Sequence, residues 1–206
     1  MKSIEVTIVD YGMGNIYSLS SALKFIGANE ILFANDHKSL LSADKIILPG
    51  VGNFAMASAR IHELGLDSIL NDVVIENKKP ILGVCLGMQL LGLSSTENGY
   101  NKGIGFIDGI CERFKDESLK VPHVGCNQVQ ANSSSKLLKG LGENPDFYFT
   151  HSYRMTCSTD IGQSICDYGS DFVASFEHGH ISGVQFHPEL SQKNGLKLLK
   201  NFMDLF

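Results

Sequence analysis

The chain has 206 residues, enough to bury a full core, and its 43% hydrophobic and 19% charged residues exclude a disordered chain. Lys+Arg 17 against Asp+Glu 22 leaves a net charge of −5, which provides no electrostatic footprint for nucleic acid or an anionic membrane surface. The five cysteines are odd in number and scattered, with no Cys-x-x-Cys pair, so free thiols are expected rather than a disulfide framework.

Met1-Lys2-Ser3 leads straight into Ile4–Val9, too short for a signal-peptide core. No apolar run approaches the roughly 18 residues of a membrane span. A cytoplasmic protein is expected. Ile4–Asp10 reads as a buried parallel strand, and Ser18–Ile26 as a helix stopped by Gly27. Glu30–Ala34 and Ala43–Leu48 are further strands, the second ending at Pro49-Gly50-Val51-Gly52. Helical stretches cover Arg60–Leu64 and Asp67–Glu76, followed by a strand over Pro80–Val84 and a helix over Leu86–Leu93. This alternation predicts an α/β fold with a mostly parallel central sheet and helices on both faces.

After Gly99 the texture changes. Ile104–Phe114, Val121–Gln130, Asp146–Ser152 and Phe172–Phe186 are strand-like and separated by turn residues, which predicts an antiparallel strand region. Ser191–Leu205 closes the chain as an amphipathic helix with Leu196, Leu199, Phe202 and Met203 on one side. No repeat or linker interrupts residues 1–206, so a single domain is expected.

Gly83-Val84-Cys85-Leu86-Gly87 lies between a predicted strand and a predicted helix, in the form Gly-x-nucleophile-x-Gly. Such a turn strains the nucleophile, and its glycines let strand and helix pass close together. The following helix would aim its free N–H groups at the sulfur and favour a thiolate. A thiolate nucleophile needs a base and an oxyanion site. In His187-Pro188-Glu189 the proline biases His187 to an extended conformation, so Glu189 can reach back to the imidazole. Glycines in Pro49-Gly50-Val51-Gly52 could turn an N–H toward developing charge. Val51 and Leu86 would be the two donors, and Gly52 is counted with them in the oxyanion site.

Three rival readings are weaker. Gly12 and Gly14 after the first strand suggest a dinucleotide fingerprint, but Tyr17 stands where the third glycine is needed. His178-Gly179-His180 lacks the spacing of a zinc site, so neither metal nor cofactor is expected. A Walker loop is absent.

The Gly83–Leu91 stretch, the Pro49–Gly52 loop and Gln185-Phe186-His187-Pro188-Glu189 together resemble the triad-type, class I glutamine amidotransferases. More closely, they resemble the glutaminase subunits of imidazole glycerol phosphate synthases. Asp10–Asn15, Val121–Gly125, Thr150-His151-Ser152-Tyr153 and Asn194-Gly195-Leu196 extend the likeness over nearly the whole chain. The resemblance implies a flavodoxin-like fold and a Cys85–His187–Glu189 triad. It implies that Gly50, Gln89, Glu97, Ser152 and Tyr153 bind glutamine, with Gln89 and Glu97 at its α-amino and α-carboxylate end. It also implies a heterodimer with a (β/α)8 cyclase that receives the ammonia without its meeting bulk water. Two positions depart from the pattern: Cys126 stands for the usual Trp and Leu190 for the usual Lys, both on the surface implied to face the cyclase.

Three function classes follow: a glutaminase feeding a synthase, a stand-alone hydrolase of γ-glutamyl peptides, and a non-catalytic partner protein. Cys85, His187 and Glu189 argue against the third. Within the first, the altered docking positions keep sugar amination for surface polysaccharides as an alternative to histidine biosynthesis. A glutaminase of this kind is expected to rest with a carbonyl of the Pro49–Gly52 loop, not an N–H, at the oxyanion site.

Overall fold

The computed structural model describes residues 4–206. Its first half is a strand–helix alternation: β1 (Glu5–Val9), α1 (Ile16–Phe25), β2 (Glu30–Ala34), α2 (His37–Ser42), β3 (Lys45–Leu48), α3 (Phe54–Glu63), α4 (Leu66–Leu70), a π-helical turn (Asn71–Glu76), β4 (Ile81–Val84) and α5 (Leu86–Leu90). Short polar side chains start three of these helices. Asn15, Asp36 and Asn53 each accept the N–H three residues ahead, from Ser18, Ser39 and Met56 at 3.4, 3.0 and 3.0 Å. The Asn53 cap starts α3 six residues ahead of the predicted Arg60, and α2 occupies a stretch assigned to no element. The predicted Leu86–Leu93 helix ends at Leu90, because Leu93 turns its N–H to the Gly109 carbonyl.

The second half contains β5 (Ser94–Ser95), β6 (Asn101–Lys102), β7 (Gly109–Arg113), β8 (His123–Gln128), β9 (Asp146–His151), β10 (Tyr153–Cys157), β11 (Ser164–Asp167), β12 (Asp171–His178) and β13 (Ile181–Val184), then a 3-10 turn (Pro188–Leu190) and α6 (Gln192–Leu205). The predicted Phe172–Phe186 strand is really the hairpin β12–β13, because Gly179 takes φ +66° and turns the chain. Ile104–Phe114 shrinks to β7.

The seven-stranded sheet has the order β11-β12-β13-β4-β3-β1-β2. The run β13-β4-β3-β1-β2 is parallel throughout, and the antiparallel strands β12 and β11 extend it. Its β2-β1-β3-β4 run follows the doubly wound, flavodoxin-like order. β3, β4 and β13 are buried along their whole length, as expected for strands covered on both faces. One face packs Phe54, Ala57, Ile61, Leu70 and Val73 against the sheet, and the other packs Leu19, Leu23, Leu198, Leu199 and Phe202. Two smaller sheets, β10-β7-β5-β6 and β8-β9, complete the fold. The carboxyl ends of β1, β3, β4 and β13 share one edge, so Tyr11, Pro49–Gly52, Cys85 and Gln185–His187 emerge together there. Among the described residues no helix is long and apolar enough to cross a membrane, and all five cysteines are unpaired.

Candidate active site

Cys85 occupies the turn from β4 to α5 with φ 54° and ψ −112°, a conformation L-residues avoid. The two glycines flanking it are needed for space. A Cβ on Gly83 would sit 2.7 Å from Met88 Cα, and one on Gly87 would collide with the Leu48 carbonyl. The turn therefore threads between β3 and α5 with no room for a Cβ at position 83 or 87.

His187 follows β13 in an extended conformation (φ −98°, ψ 98°), fixed by its N–H donating to Tyr148 O at 2.9 Å. Its Nδ1 is 2.9 Å from Glu189 Oε1, and both side chains are almost wholly buried. Nε2 has no hydrogen-bond partner among the described residues, which leaves it free to move a proton. Burial alone would lower the pKa of this imidazole. The neighbouring Cys85 and Glu189 outweigh it and push the value up to about 10.

Cys85 and His187 line one cavity of about 320 Å³ with Val51, Gly52, Leu86, Gln89, Glu97, Ser152 and Tyr153. Of the residues singled out in the sequence, Gly50 and Glu189 sit behind this lining. Glu97 also accepts the Phe54 N–H at 2.7 Å, which ties its carboxylate to the start of α3. Gln89 spends both hydrogens of its amide nitrogen, on Tyr153 O at 2.9 Å and Gln185 Oε1 at 2.8 Å, so its oxygen alone remains to meet a ligand.

The Leu86 N–H is occupied: it donates to Gly50 O at 3.3 Å. The loop thus rests with a carbonyl on that donor, and Tyr11 Oη holds the preceding Pro49 O at 2.9 Å. Gly14 packs under the same loop, where a Cβ would lie 2.9 Å from Pro49 Cβ, so the Gly12–Gly14 stretch supports a backbone turn instead of a dinucleotide. In the His178-Gly179-His180 turn, His180 bonds to Val74 O at 2.7 Å, and no cluster of three metal-ligating side chains exists among the described residues.

His151 and His123 were visible only as letters in two motifs and received no role from the sequence. His151 lines the cavity and donates from Nδ1 to Tyr153 O at 2.8 Å, and its Nε2 faces His123 Nδ1 at 3.1 Å. His123 stacks between Tyr168 and Phe149, at 4.0 and 4.9 Å between centroids. Burial lowers their pKa values to about 3 for His151 and about 4 for His123, so both stay neutral at physiological pH. Unfolded histidines take up protons near pH 6.5, while this pair resists. Stability from the pair is therefore full above pH 6.5 and falls as the pH drops. His187 has the opposite sign: its contribution is full below pH 6.5 and fades as pH rises toward 10. Between pH 6.5 and 5 the pair dominates, with a loss of about 2 kcal/mol per histidine expected. Urea midpoints at these two pH values check this, and equal midpoints would disprove it.

Over residues 7–205 the chain matches the family described as Glutamine amidotransferase class-I. It is 42% identical over 201 residues to the imidazole glycerol phosphate synthase subunit HisH 1 of Campylobacter jejuni strain RM1221, covering 97% of this chain and 100% of that protein. Identity is also 42%, over 200 residues, to the imidazole glycerol phosphate synthase subunit HisH of Aquifex aeolicus strain VF5, covering 97% of this chain and 96% of that one. Among solved structures, PurLQS from Thermotoga maritima is similar with a TM-score of 0.71 at 18% identity, covering 98% of this chain and 99% of that chain. The glutaminase domain of Trypanosoma brucei CTPS gives 0.67 at 16%, covering 97% and 94%. At these identities the structures speak for the fold.

Proposed function

Because this chain belongs to the class I glutamine amidotransferases, we propose that residues 1–206 form one glutaminase domain that hydrolyses glutamine and passes the ammonia to a (β/α)8 cyclase making imidazole glycerol phosphate. The observation that carries the reading is a strained Cys85 opening into the same cavity as His187, whose Nδ1 is 2.9 Å from Glu189.

In this reading the Cys85 thiolate attacks the side-chain amide carbon of glutamine. The carbonyl electrons move onto oxygen, where the Val51 and Leu86 N–H groups hold them once the Gly50 carbonyl has turned away. His187 Nε2 gives its proton to the departing ammonia, and a γ-glutamyl thioester remains on Cys85. His187 then takes a proton from water, which attacks the thioester and releases glutamate with the thiolate restored. Glu189 keeps the imidazole oriented and stabilises its charged form. The free Gln89 oxygen accepts from the substrate's α-ammonium, and Glu97, Ser152 and Tyr153 complete the substrate wall. No cofactor enters these steps, and the setting is the cytoplasm.

The partner rests on the names of the relatives, which are subunits of imidazole glycerol phosphate synthases. One observation favours sugar amination as a second reading: exposed Cys126 and half-exposed Leu190 lie in one groove of about 450 Å³ beside Tyr148, with an apolar side chain at 190 where the resemblance leads one to expect a cation. The test adds purified histidine-pathway cyclase and its acceptor nucleotide to the wild type and to Leu190→Lys. Strong activation of the wild type supports the histidine reading. No activation of the wild type, with activation restored only in Leu190→Lys, discards that reading in favour of a different cyclase-like partner.

A further inference from the structure

Tyr153 O is a carbonyl and can only accept. It receives Gln89 Nε2 at 2.9 Å and His151 Nδ1 at 2.8 Å. The nitrogen of the Gln89 amide must therefore face Tyr153, and its second hydrogen goes to Gln185 Oε1 at 2.8 Å. With its oxygen committed there, Gln185 turns its own nitrogen the other way, to 3.8 Å from Cys85 Sγ. One backbone carbonyl thus sets the sense of the whole chain of amides, and its last member presents a donor to the sulfur.

The backbone holds Gln185 in this place. Val184 pairs with Val84 across β13 and β4, and the Cys85 N–H donates to Val184 O at 2.8 Å. The Gln185 N–H donates to Ala174 O at 2.8 Å on the other side, and its side chain is fully buried. Packing alone would be served by methionine or leucine. A buried amide with both ends satisfied, one of them by a sulfur, serves a polar purpose.

We propose that Gln185 is a positioning residue that holds the Cys85 sulfur by a directed N–H and stabilises it as an anion, its orientation imposed from the substrate wall through Gln89 and Tyr153. The inference rests on Cys85 being the nucleophile and adds a fourth side chain to the triad. A hydrogen bond to the charged form of a group favours that form, and bonds to ions are the stronger ones. The same donor helps the sulfur depart when the thioester breaks.

The test is the rate at which iodoacetamide alkylates Cys85, followed from pH 5 to 10 on the Cys85 peptide by mass spectrometry. The wild type tests the underlying reading: a Cys85 that does not alkylate faster than exposed Cys126 removes the activated nucleophile, whatever Gln185 does. Gln185→Met and Gln185→Glu test the inference itself. At the pH where the wild type reacts at half its maximum rate, Gln185→Met is expected to react about tenfold more slowly, with the rates converging at high pH. Gln185→Glu, which turns an anionic oxygen to the sulfur, is expected to be slower still. If Gln185→Met does not fold, Gln185→Glu has the same size and carries the test. Wild-type profiles in the variants overturn the proposal. So does an equal loss at every pH, which would signify altered access or packing alone.

Discussion

Cys85→Ala is expected to lower glutamine hydrolysis by at least about 1,000-fold, the scale seen when a covalent nucleophile is removed from a triad. Alanine keeps the Cβ and the strained turn but offers nothing to attack the amide. The loss should fall on kcat, because Gln89, Glu97, Ser152 and Tyr153 still line the cavity. The complex with the proposed cyclase partner should continue to form product from added ammonium salts, because in the proposed mechanism Cys85 serves only to make ammonia. Glu189→Gln should cost less, about 100-fold, because it weakens the orientation and charge of His187 without removing either reacting group. Steady-state glutamate release settles both. A Cys85→Ala protein that retains more than a few per cent of activity, or a Glu189→Gln protein as fast as the wild type, would break the assignment.

Binding of the cyclase and its acceptor nucleotide is expected to accelerate glutamine turnover by about 100- to 1,000-fold over the isolated chain, the effect of supplying one missing oxyanion donor. The resting loop accounts for the deficit. Gly50 O accepts the Leu86 N–H at 3.3 Å, so one of the two proposed donors is occupied. Rotating the Gly50–Val51 peptide exchanges that carbonyl for the Val51 N–H and frees Leu86 in the same motion. A Cβ on Gly50 would meet Gly87 N at 2.7 Å, Leu86 Cβ at 2.8 Å and Tyr11 Oη at 2.9 Å, so only glycine lets the loop lie this close. Tyr11 Oη on Pro49 O anchors the loop at its upstream end, so rotation is confined to the next peptide. The check is kcat for glutamine with and without the partner and acceptor. Equal values would mean that the loop does not gate the site.

The strained Cys85 turn, the Pro49–Gly52 loop and the His187–Glu189 pair were legible in the sequence because each is a short string whose geometry depends on neighbours one to three residues away. The apolar runs at β3 and β4 announced strands covered on both faces. Boundaries failed where a side chain or a tertiary bond decided them. The Asn53 cap pulls α3 forward, Gly179 splits one strand into two, and β5, β6 and β11 are too short to show a period. The amide chain was illegible for a different reason. Gln89 and Gln185 are 96 residues apart and meet through the pairing of β13 with β4, while Gln89 and Tyr153 are 64 apart, with Tyr153 held on β10 in another sheet beside β7. His151 and His123 likewise acquire meaning only once β8 and β9 pair.

Under the proposed mechanism, the φ of +54° at Cys85 sets stability against activity at one position. Holding a non-glycine residue in such a conformation costs on the order of 1–3 kcal/mol, a sizeable share of the 5–15 kcal/mol by which a domain of this size is folded. Glycine at position 85 would recover part of that cost and leave nothing to attack an amide. A lineage that no longer needed ammonia from glutamine would therefore drift easily toward a sturdier, inert descendant. Under the proposed mechanism, the folding cost of the strained cysteine is carried for the sake of catalysis.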